Sequence, residues 1–362
     1  MFALAETVPP SNTVLVSKGK FAGLIATLLV LLVGSIVLLT ASSPPEPSYH
    51  GGSASQWLAH FNIKNRKLGG DAQQALKAMG PDAAPVIFHR LETSETLLQI
   101  KYRLLYLKIP VRVAKFLPAP RAEFGRLDAM TALLAIGPAV EPALIRALES
   151  GSASAESRTA AAGTLASLLS GDGADIKDAV PALIRALGDE NSNVGNYSAI
   201  ALGNAGPAAA AAVPSLIAFL HDSNTGTKSG EKVFVRIQAV RALGKIGPKA
   251  FAAMPSLNPL LGHKDVYVRA LVAIAIWRIG GNGTDTLPVL SQSLVELPEG
   301  LKWELIDAMA EMGPRAKAAV PLLLRELAVP KQPRWVWTSN CGKLTNALRQ
   351  IDPEAAAKAG MR

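Results

Sequence analysis

A nine-residue phrase recurs along this chain, with Gly-Pro at its start and an apolar residue followed by proline at its end. It reads GPAAAAAVP at 206–214, GPKAFAAMP at 247–255 and GPRAKAAVP at 313–321. Pro181 and Pro214 are 33 residues apart, and so are Pro255 and Pro288, and Pro288 and Pro321. A period of this length is typical of stacked helix pairs, because one pair cannot bury both of its apolar faces alone. The sequence therefore predicts an all-α fold, an α-solenoid of about seven helix pairs.

The chemistry of the phrase explains the unit. A first helix, for example residues 235–246, has apolar residues at helical spacing and basic residues on its other side. Gly247 supplies the left-handed backbone that ends this helix, and Pro248 cannot continue it. Pro255 then begins a second helix at its first turn, where a missing N–H breaks no hydrogen bond. Each unit is therefore predicted to be a first helix, a Gly-Pro turn and a second helix.

The stretches ALGKIGP at 242–248 and AVPALIRAL at 179–187 resemble HEAT repeats, in particular the short, Ala-rich variety first associated with phycobilin lyase subunits. The resemblance covers roughly residues 70–350 and extends to bacterial membrane-anchored HEAT-repeat proteins. It implies a right-handed superhelix with the first helices on the convex side and the second helices lining the concave side. The motif residues are structural, so the resemblance implies no catalytic residue.

The segment from Phe21 to Ala41 has 21 residues rich in Leu, Val and Ile, and no charged residue lies between Lys20 and Glu46. At about 1.5 Å per residue it forms a helix of about 31 Å, enough to cross a hydrocarbon core of about 30 Å. We favour an uncleaved transmembrane anchor over a signal peptide that is cleaved near residues 41–43. Basic residues precede the segment at once, whereas the first one after it is Lys64. The positive-inside rule therefore predicts a cytoplasmic N-terminus and a repeat domain on the periplasmic side.

These features divide the chain into five parts. Residues 1–20 are predicted to be a cytoplasmic tail, 21–41 the anchor, and 42–55 a Pro/Ser/Gly linker that acts as an extended tether. Residues 56–352 are predicted to form the solenoid, and 353–362 a C-terminal tail.

The longer steps between prolines place extra residues at 92–126, 149–156 and 222–231, and residues 329–337 are extra in the last unit. All four segments follow a second helix, so they emerge along one edge of the solenoid, which is often the binding edge of such arrays. Residues 101–126 of the first segment supply about two thirds of the net charge of +9. The candidate binding residues of this segment are Lys101, Arg103, Lys108, Arg112 and Lys115. A solvated structural insertion is the favoured interpretation, and a patch for an anionic surface is the alternative.

A second candidate binding cluster is Arg334, Trp335 and Trp337 near the end of the array. Bulky aromatic residues at this place either cover the exposed core of the last unit or act as interface anchors.

The sequence contains no Gly-x-Ser-x-Gly, no phosphate-binding loop and no His-Glu-x-x-His, and its five histidines form no pair at i, i+4. The single cysteine, Cys341, excludes an internal disulfide. We therefore expect no enzyme, no metal and no cofactor.

The favoured function is a membrane-tethered scaffold that binds a partner protein outside the cytoplasmic membrane. The alternatives are an accessory to cofactor or chromophore attachment and a module that binds an envelope polyanion, while nucleic acid is disfavoured by the predicted location.

Overall fold

The structure is a computed structural model, which describes residues 46–59, 66–93, 124–170, 177–221, 231–281, 283–328 and 334–360. The chain divides into two compact units, Met1–Pro47 and Ser48–Arg362. The predicted anchor at 21–41 lies outside the described residues. Within the described ranges no single helix is long and apolar enough to cross a membrane. One pair of helices, Arg126–Ile136 with Pro138–Glu149, meets that test together but is bent by 112°.

The second unit is an array of short helices. In chain order they are α1 Ala54–Ala59, α2 Arg66–Met79, α3 Ala84–Glu92, α4 Arg126–Ile136, α5 Glu141–Glu149, α6 Ala155–Leu168, α7 Val180–Ala186, α8 Ser192–Asn204, α9 Val213–His221, α10 Glu231–Ile246, α11 Met254–Leu257, α12 Val266–Gly280, α13 Gly283–Glu296, α14 Trp303–Met312, α15 Val320–Ala328, α16 Arg334–Ile351 and α17 Pro353–Lys358. The even-numbered helices from α2 to α16 are first helices, and each is followed by an odd-numbered second helix. The predicted all-α solenoid of helix pairs is confirmed, with eight such pairs in the described ranges.

The Gly-Pro turns consist of 3-10 helix, which is kinked at Ala209 and Ala250 in two of them. The clearest are Gly206–Ala212, Gly247–Ala253 and Gly313–Ala319. Gly206 and Gly247 have φ values of 57° and 71°, a left-handed backbone that costs a glycine little. Pro181 and Pro255 lie in the first turn of α7 and α11, as predicted. Pro288 differs, because it lies inside α13, which begins at Gly283, five residues earlier.

One continuous apolar core runs through the array from Ala54 to Ala356. Alanine and leucine dominate it, and Leu133, Leu165, Leu202 and Leu243 are fully buried in successive first helices. Because neighbouring units bury these side chains against each other, the array gains most of its stability from contacts between units.

The structure differs from the prediction at both ends of the solenoid. In the predicted linker, β1 Ser48–Tyr49 pairs antiparallel with β2 Gly52–Ser53, and the indole N–H of Trp57 donates to the Tyr49 carbonyl oxygen at 3.1 Å. In the predicted tail, the Asp352 side chain accepts from the Ala355 N–H at 3.1 Å and begins α17, which buries Ala356. In each of these two segments, a hydrogen bond between one side chain and a backbone group, made by Trp57 in the first and by Asp352 in the second, stabilises the local structure.

Candidate functional site

The sequence-predicted binding residues are not tested by the structure. Lys101, Arg103, Lys108, Arg112 and Lys115 lie outside the described residues. The backbone of Arg334, Trp335 and Trp337 begins helix α16, but their side chains also lie outside the described part.

A groove of about 600 Å³ lies on the surface of the first helices. Its lining residues come from the C-terminal ends of α6, α8, α10, α12 and α14 and from the turns after them. They are Leu169, Ser170, Gly203, Asn204, Gly206, Gly244, Lys245, Gly247, Arg278 and Glu311. A single surface feature therefore spans five successive units.

Four polar residues of the groove occupy the same position of the repeat, two residues before the glycine that ends or follows the first helix. They are Asn204, Lys245, Arg278 and Glu311, and we call them the groove row. Because equivalent positions of stacked units lie side by side, the four side chains form one line across the array.

Hydrogen bonds fix the first half of the groove row. The Asn204 amide nitrogen donates to the Ala166 carbonyl oxygen at 2.8 Å, and this bond sets the orientation of the amide. The Asn204 amide oxygen then accepts from the Lys245 ammonium at 2.7 Å. Lys245 is thereby held in the groove by a neutral partner, and among the described residues no carboxylate forms an ion pair with it.

In the second half of the groove row, the positive charge of Arg278 is paired with the negative charge of Glu311. The Arg278 guanidinium donates from Nε to Glu311 Oε2 at 2.9 Å and from a terminal nitrogen to Oε1 at 2.6 Å. This bidentate geometry satisfies both carboxylate oxygens. Lys245 is thus the cation of the groove row that has no negative partner in the described residues.

The environment lowers the pKa of Lys245. The main cause is the partial removal of the ammonium from water in the groove, and the positive charges of Arg278 and Arg241 add to it. The Glu304 carboxylate opposes the shift but does not reverse it. A negative charge brought beside Lys245 would therefore relieve an existing electrostatic cost.

A second cluster lies one helical turn from Lys245. Arg241 on α10 donates to both carboxylate oxygens of Glu304 on α14, with Nε at 3.2 Å from Oε2, and also to the Tyr267 hydroxyl on α12. The Arg241 guanidinium carbon is 5.7 Å from the centre of the Tyr267 ring. Burial, followed by the charge of Glu304, raises the pKa of Tyr267, so its hydroxyl stays protonated.

The bond between Arg241 and Glu304 indicates which side of the array is concave. Packed helices lie about 8–10 Å apart, so two steps along a flat layer would separate α10 from α14 by about 16–20 Å. A direct side-chain pair across α12 is easier to form when the layer of first helices curves inward, because the two side chains must otherwise be almost fully extended. This pair favours the first helices, and not the second helices as expected, on the concave side of this part of the array.

Close packing of the first helices explains this curvature. A Cβ atom built on Gly203 would lie 3.0 Å from the Ala242 Cα, and one on Gly244 would lie 2.9 Å from the Ala275 Cα. These glycines let the backbones of α8, α10 and α12 approach closely. The layer with the shorter spacing becomes the concave side, and the same glycines line the floor of the groove.

Ion pairs at the other end of the first helices join each first helix to the C-terminal region of the second helix of the same unit. Arg158 donates to both carboxylate oxygens of Asp189 at 2.7 and 3.1 Å, which raises the pKa of Arg158. Arg269 donates to Glu296 at 2.9 Å. Each arginine lies four residues after the N-cap of its helix, at Ser154 and Asp265. Aligning the units from their N-caps would have found these pairs, which the sequence analysis missed.

Within the described residues no group of three or more His, Cys, Asp or Glu side chains is placed to hold a metal ion.

Comparison with known proteins identifies HEAT repeats at residues 140–230 and 228–310. No curated protein sequence matches the chain. Among solved structures, a chain from the complex of CpcE and CpcF of phycocyanin lyase from Nostoc sp. PCC7120 is 19% identical, with a TM-score of 0.41, and the match covers 84% of this chain and 99% of that one. Two engineered proteins studied by the Northeast Structural Genomics Consortium also match. One is 23% identical (TM-score 0.38, covering 59% of this chain and 96% of its own), and the other is 17% identical (TM-score 0.37, covering 83% and 99%).

Proposed function

The chain is a HEAT-repeat protein, and from this premise we propose that it is a non-enzymatic scaffold that binds a segment of a partner protein in the groove of its first helices. HEAT repeats generally mediate protein–protein interactions, because their stacked units present an extended surface to a partner. We further propose that residues 21–41 hold the scaffold in the cytoplasmic membrane and that the repeats lie outside it.

Lys245 is the single observation on which the binding site depends. It is an exposed cation, held in a concave groove by Asn204, and no described carboxylate pairs with it. Its pKa is lowered mainly by partial removal from water and further by the positive charges of Arg278 and Arg241. An acidic side chain or a C-terminal carboxylate of the partner fits this position, because it would supply the missing charge.

The groove also suits an extended polypeptide. Gly203 and Gly244 line its floor, where the backbones of neighbouring first helices lie close together. The groove row offers amide, ammonium, guanidinium and carboxylate groups in a line, which matches a chain with polar groups at regular intervals. An interaction of this kind would join several units of the scaffold through one partner segment.

Site-specific photocrosslinking in living cells tests this proposal. A benzophenone amino acid at Ser170, which is exposed and lines the groove, should give a discrete crosslinked product. The matched control is Ala218, which is exposed on second helix α9. The charge reversal Lys245→Glu should remove the product obtained from Ser170. If Ser170 and Ala218 give the same crosslinked product, or if the product from Ser170 persists in Lys245→Glu, the partner binds elsewhere.

The two other functions have less support. A role in cofactor or chromophore attachment follows from the lyase-type resemblance alone, and no described side chain favours it. Polyanion binding depends on Lys101, Arg103 and Lys108, which lie outside the described residues. Reversing these three charges in the full-length protein and measuring its salt-dependent binding to anionic vesicles tests that alternative separately.

A further inference from the structure

A second cavity, of about 280 Å³, lies between α10 and α12 at the end of these helices that is remote from the groove row. Its apolar wall is formed by Ile237, Val240, Leu260, Val268 and Leu271. Val240 and Leu271 belong to the buried core, so the inner end of the cavity is apolar. A volume close to 300 Å³ is at the lower limit for small-molecule sites. An apolar chain of a few carbons would gain free energy by leaving water for this space.

The rim of this cavity has a different character. Arg236, His263 and Lys264 lie on it, together with one acid, Asp265. The Asp265 carboxylate is occupied, because its Oδ1 accepts from the backbone N–H groups of Tyr267 at 2.8 Å and Val268 at 3.2 Å. It caps the N-terminus of α12, where a negative charge is already compensated. The rim therefore presents the Lys264 ammonium and the His263 ring beside an acid that is already engaged.

His263 adds a hydrogen-bond donor to the rim. Its Nδ1 accepts from the Asp265 backbone N–H at 3.0 Å, so in the neutral ring the proton lies on Nε2. A carboxylate at the mouth of the cavity can accept from this N–H and from the neighbouring cationic side chains. An alcohol of the same length would find the same apolar wall but much less electrostatic attraction.

The wall that holds these groups is rigid. Arg269 donates to the carbonyl oxygens of His263 at 2.9 Å and Lys264 at 3.2 Å. Its other terminal nitrogen donates to Glu296 on α13 at 2.9 Å. The turn that presents His263 and Lys264 is thus fixed from the next unit, so a ligand would bind with little cost for ordering the site.

We propose that this cavity binds a small amphipathic carboxylate, such as a medium-chain fatty acid. The alkyl chain lies against Val240, Val268 and Leu271, and the carboxylate lies at the rim beside His263 and Lys264. The ligand binds independently of the partner in the groove, so the inference does not depend on the proposed function.

Photoaffinity labelling of the full-length protein tests this site. The probe is octanoate with a diazirine on its alkyl chain, and the labelled peptides are located by mass spectrometry. Labelling is expected within residues 236–271, and unmodified octanoate should compete for it more strongly than octanol does. We expect a dissociation constant for octanoate on the order of 0.1–1 mM, as is typical of a ligand of this size.

Two substitutions separate the apolar and the charged contributions. Leu260→Trp fills the cavity and should abolish the labelling. If its melting temperature differs from that of the wild type, Ile237→Trp serves as a second variant. Lys264→Gln should weaken competition by octanoate about three- to five-fold and leave octanol unchanged. Lys249→Gln, outside the cavity, is the matched control. Equal competition by octanol and octanoate, labelling that persists in a folded tryptophan variant, or no labelling within 236–271 would each overturn the proposal.

Discussion

The substitution Gly244→Ala should test the close packing of the first helices most directly. Gly244 lies where α10 contacts α12, and an added Cβ would lie 2.9 Å from the Cα and 3.2 Å from the Cβ of Ala275. Real Cβ atoms do not approach backbone atoms so closely. A backbone atom, unlike the end of a flexible side chain, cannot rotate out of the way. One of the two helices must therefore move.

Two opposing terms give the size of the effect. Overpacking of a tightly packed site costs about 1–3 kcal/mol. Replacing glycine by alanine inside a helix returns about 1 kcal/mol through helix propensity. Because the obstructing atom belongs to the backbone, we expect the cost to lie in the upper part of its range. Gly244→Ala should therefore lower the free energy of unfolding by about 1–2 kcal/mol.

Two other helical glycines are matched controls. Gly70 on α2 is exposed, and its added Cβ would meet nothing within 4 Å, so Gly70→Ala should stabilise the protein by about 0.5–1 kcal/mol. At Gly163 on α6 the Cβ would meet the Met130 Cε at 2.5 Å. This atom is the end of a flexible side chain, so Gly163→Ala should be close to neutral. The same chemical change is thus expected to have three different outcomes.

Urea unfolding of the three full-length variants, followed by circular dichroism, measures their relative stabilities. Repeat arrays do not always unfold in two states, so hydrogen exchange of the α10 and α12 amides should accompany the unfolding midpoints. Exchange should accelerate in these two helices for Gly244→Ala and not for Gly70→Ala. If Gly244→Ala is as stable as Gly70→Ala, the first helices do not approach each other closely, and our explanation of the concave groove is wrong.

Three further predictions concern topology, the core and the groove. Alkaline phosphatase fused after Gly51 should be active in cells, and a cytoplasmic reporter fused there should be inactive; the reverse result would contradict the outward orientation. Leu243→Ala should lower the free energy of unfolding by about 2–5 kcal/mol through lost contacts and a cavity, as measured by urea unfolding, because Leu243 is fully buried. Arg278→Gln should raise the pKa of Lys245, since it removes a nearby positive charge and releases Glu311. Acylation of Lys245 at a fixed, mildly alkaline pH should then slow by up to about five-fold, as measured by mass spectrometry of that residue. An unchanged or faster rate would contradict this prediction.

Local chemistry made much of the fold predictable. Gly206 and Gly247 end first helices because they adopt a left-handed backbone, and this requirement depends only on neighbours in the sequence. Pro288 shows the limit of the same reasoning, because α13 begins five residues earlier and includes it. The order at 48–53 was also missed, because it depends on one hydrogen bond from Trp57 to a segment whose composition is typical of a linker.

The groove was less predictable than the fold. Asn204 and Lys245 are 41 residues apart and Arg241 and Glu304 are 63 apart, so no local pattern relates them. An alignment of the units would have shown that the residue two positions before the helix-ending glycine is polar in several of them. It would not have shown that Arg278 pairs with Glu311 while Lys245 has only an amide, because this depends on how far each side chain reaches across the array.

The position of the concave side follows from where glycine occurs in the repeat. In the phrase Ala-Leu-Gly at the end of α8 and of α10, the glycine contacts the backbone of the next first helix. The second helices α7, α9 and α15 contain no glycine. Side chains therefore separate the second helices, whereas backbones nearly touch among the first helices. Two connected layers with unequal spacing must bend toward the more closely spaced one, which brings the groove row onto the inner surface and lets Arg241 reach Glu304 past an intervening helix.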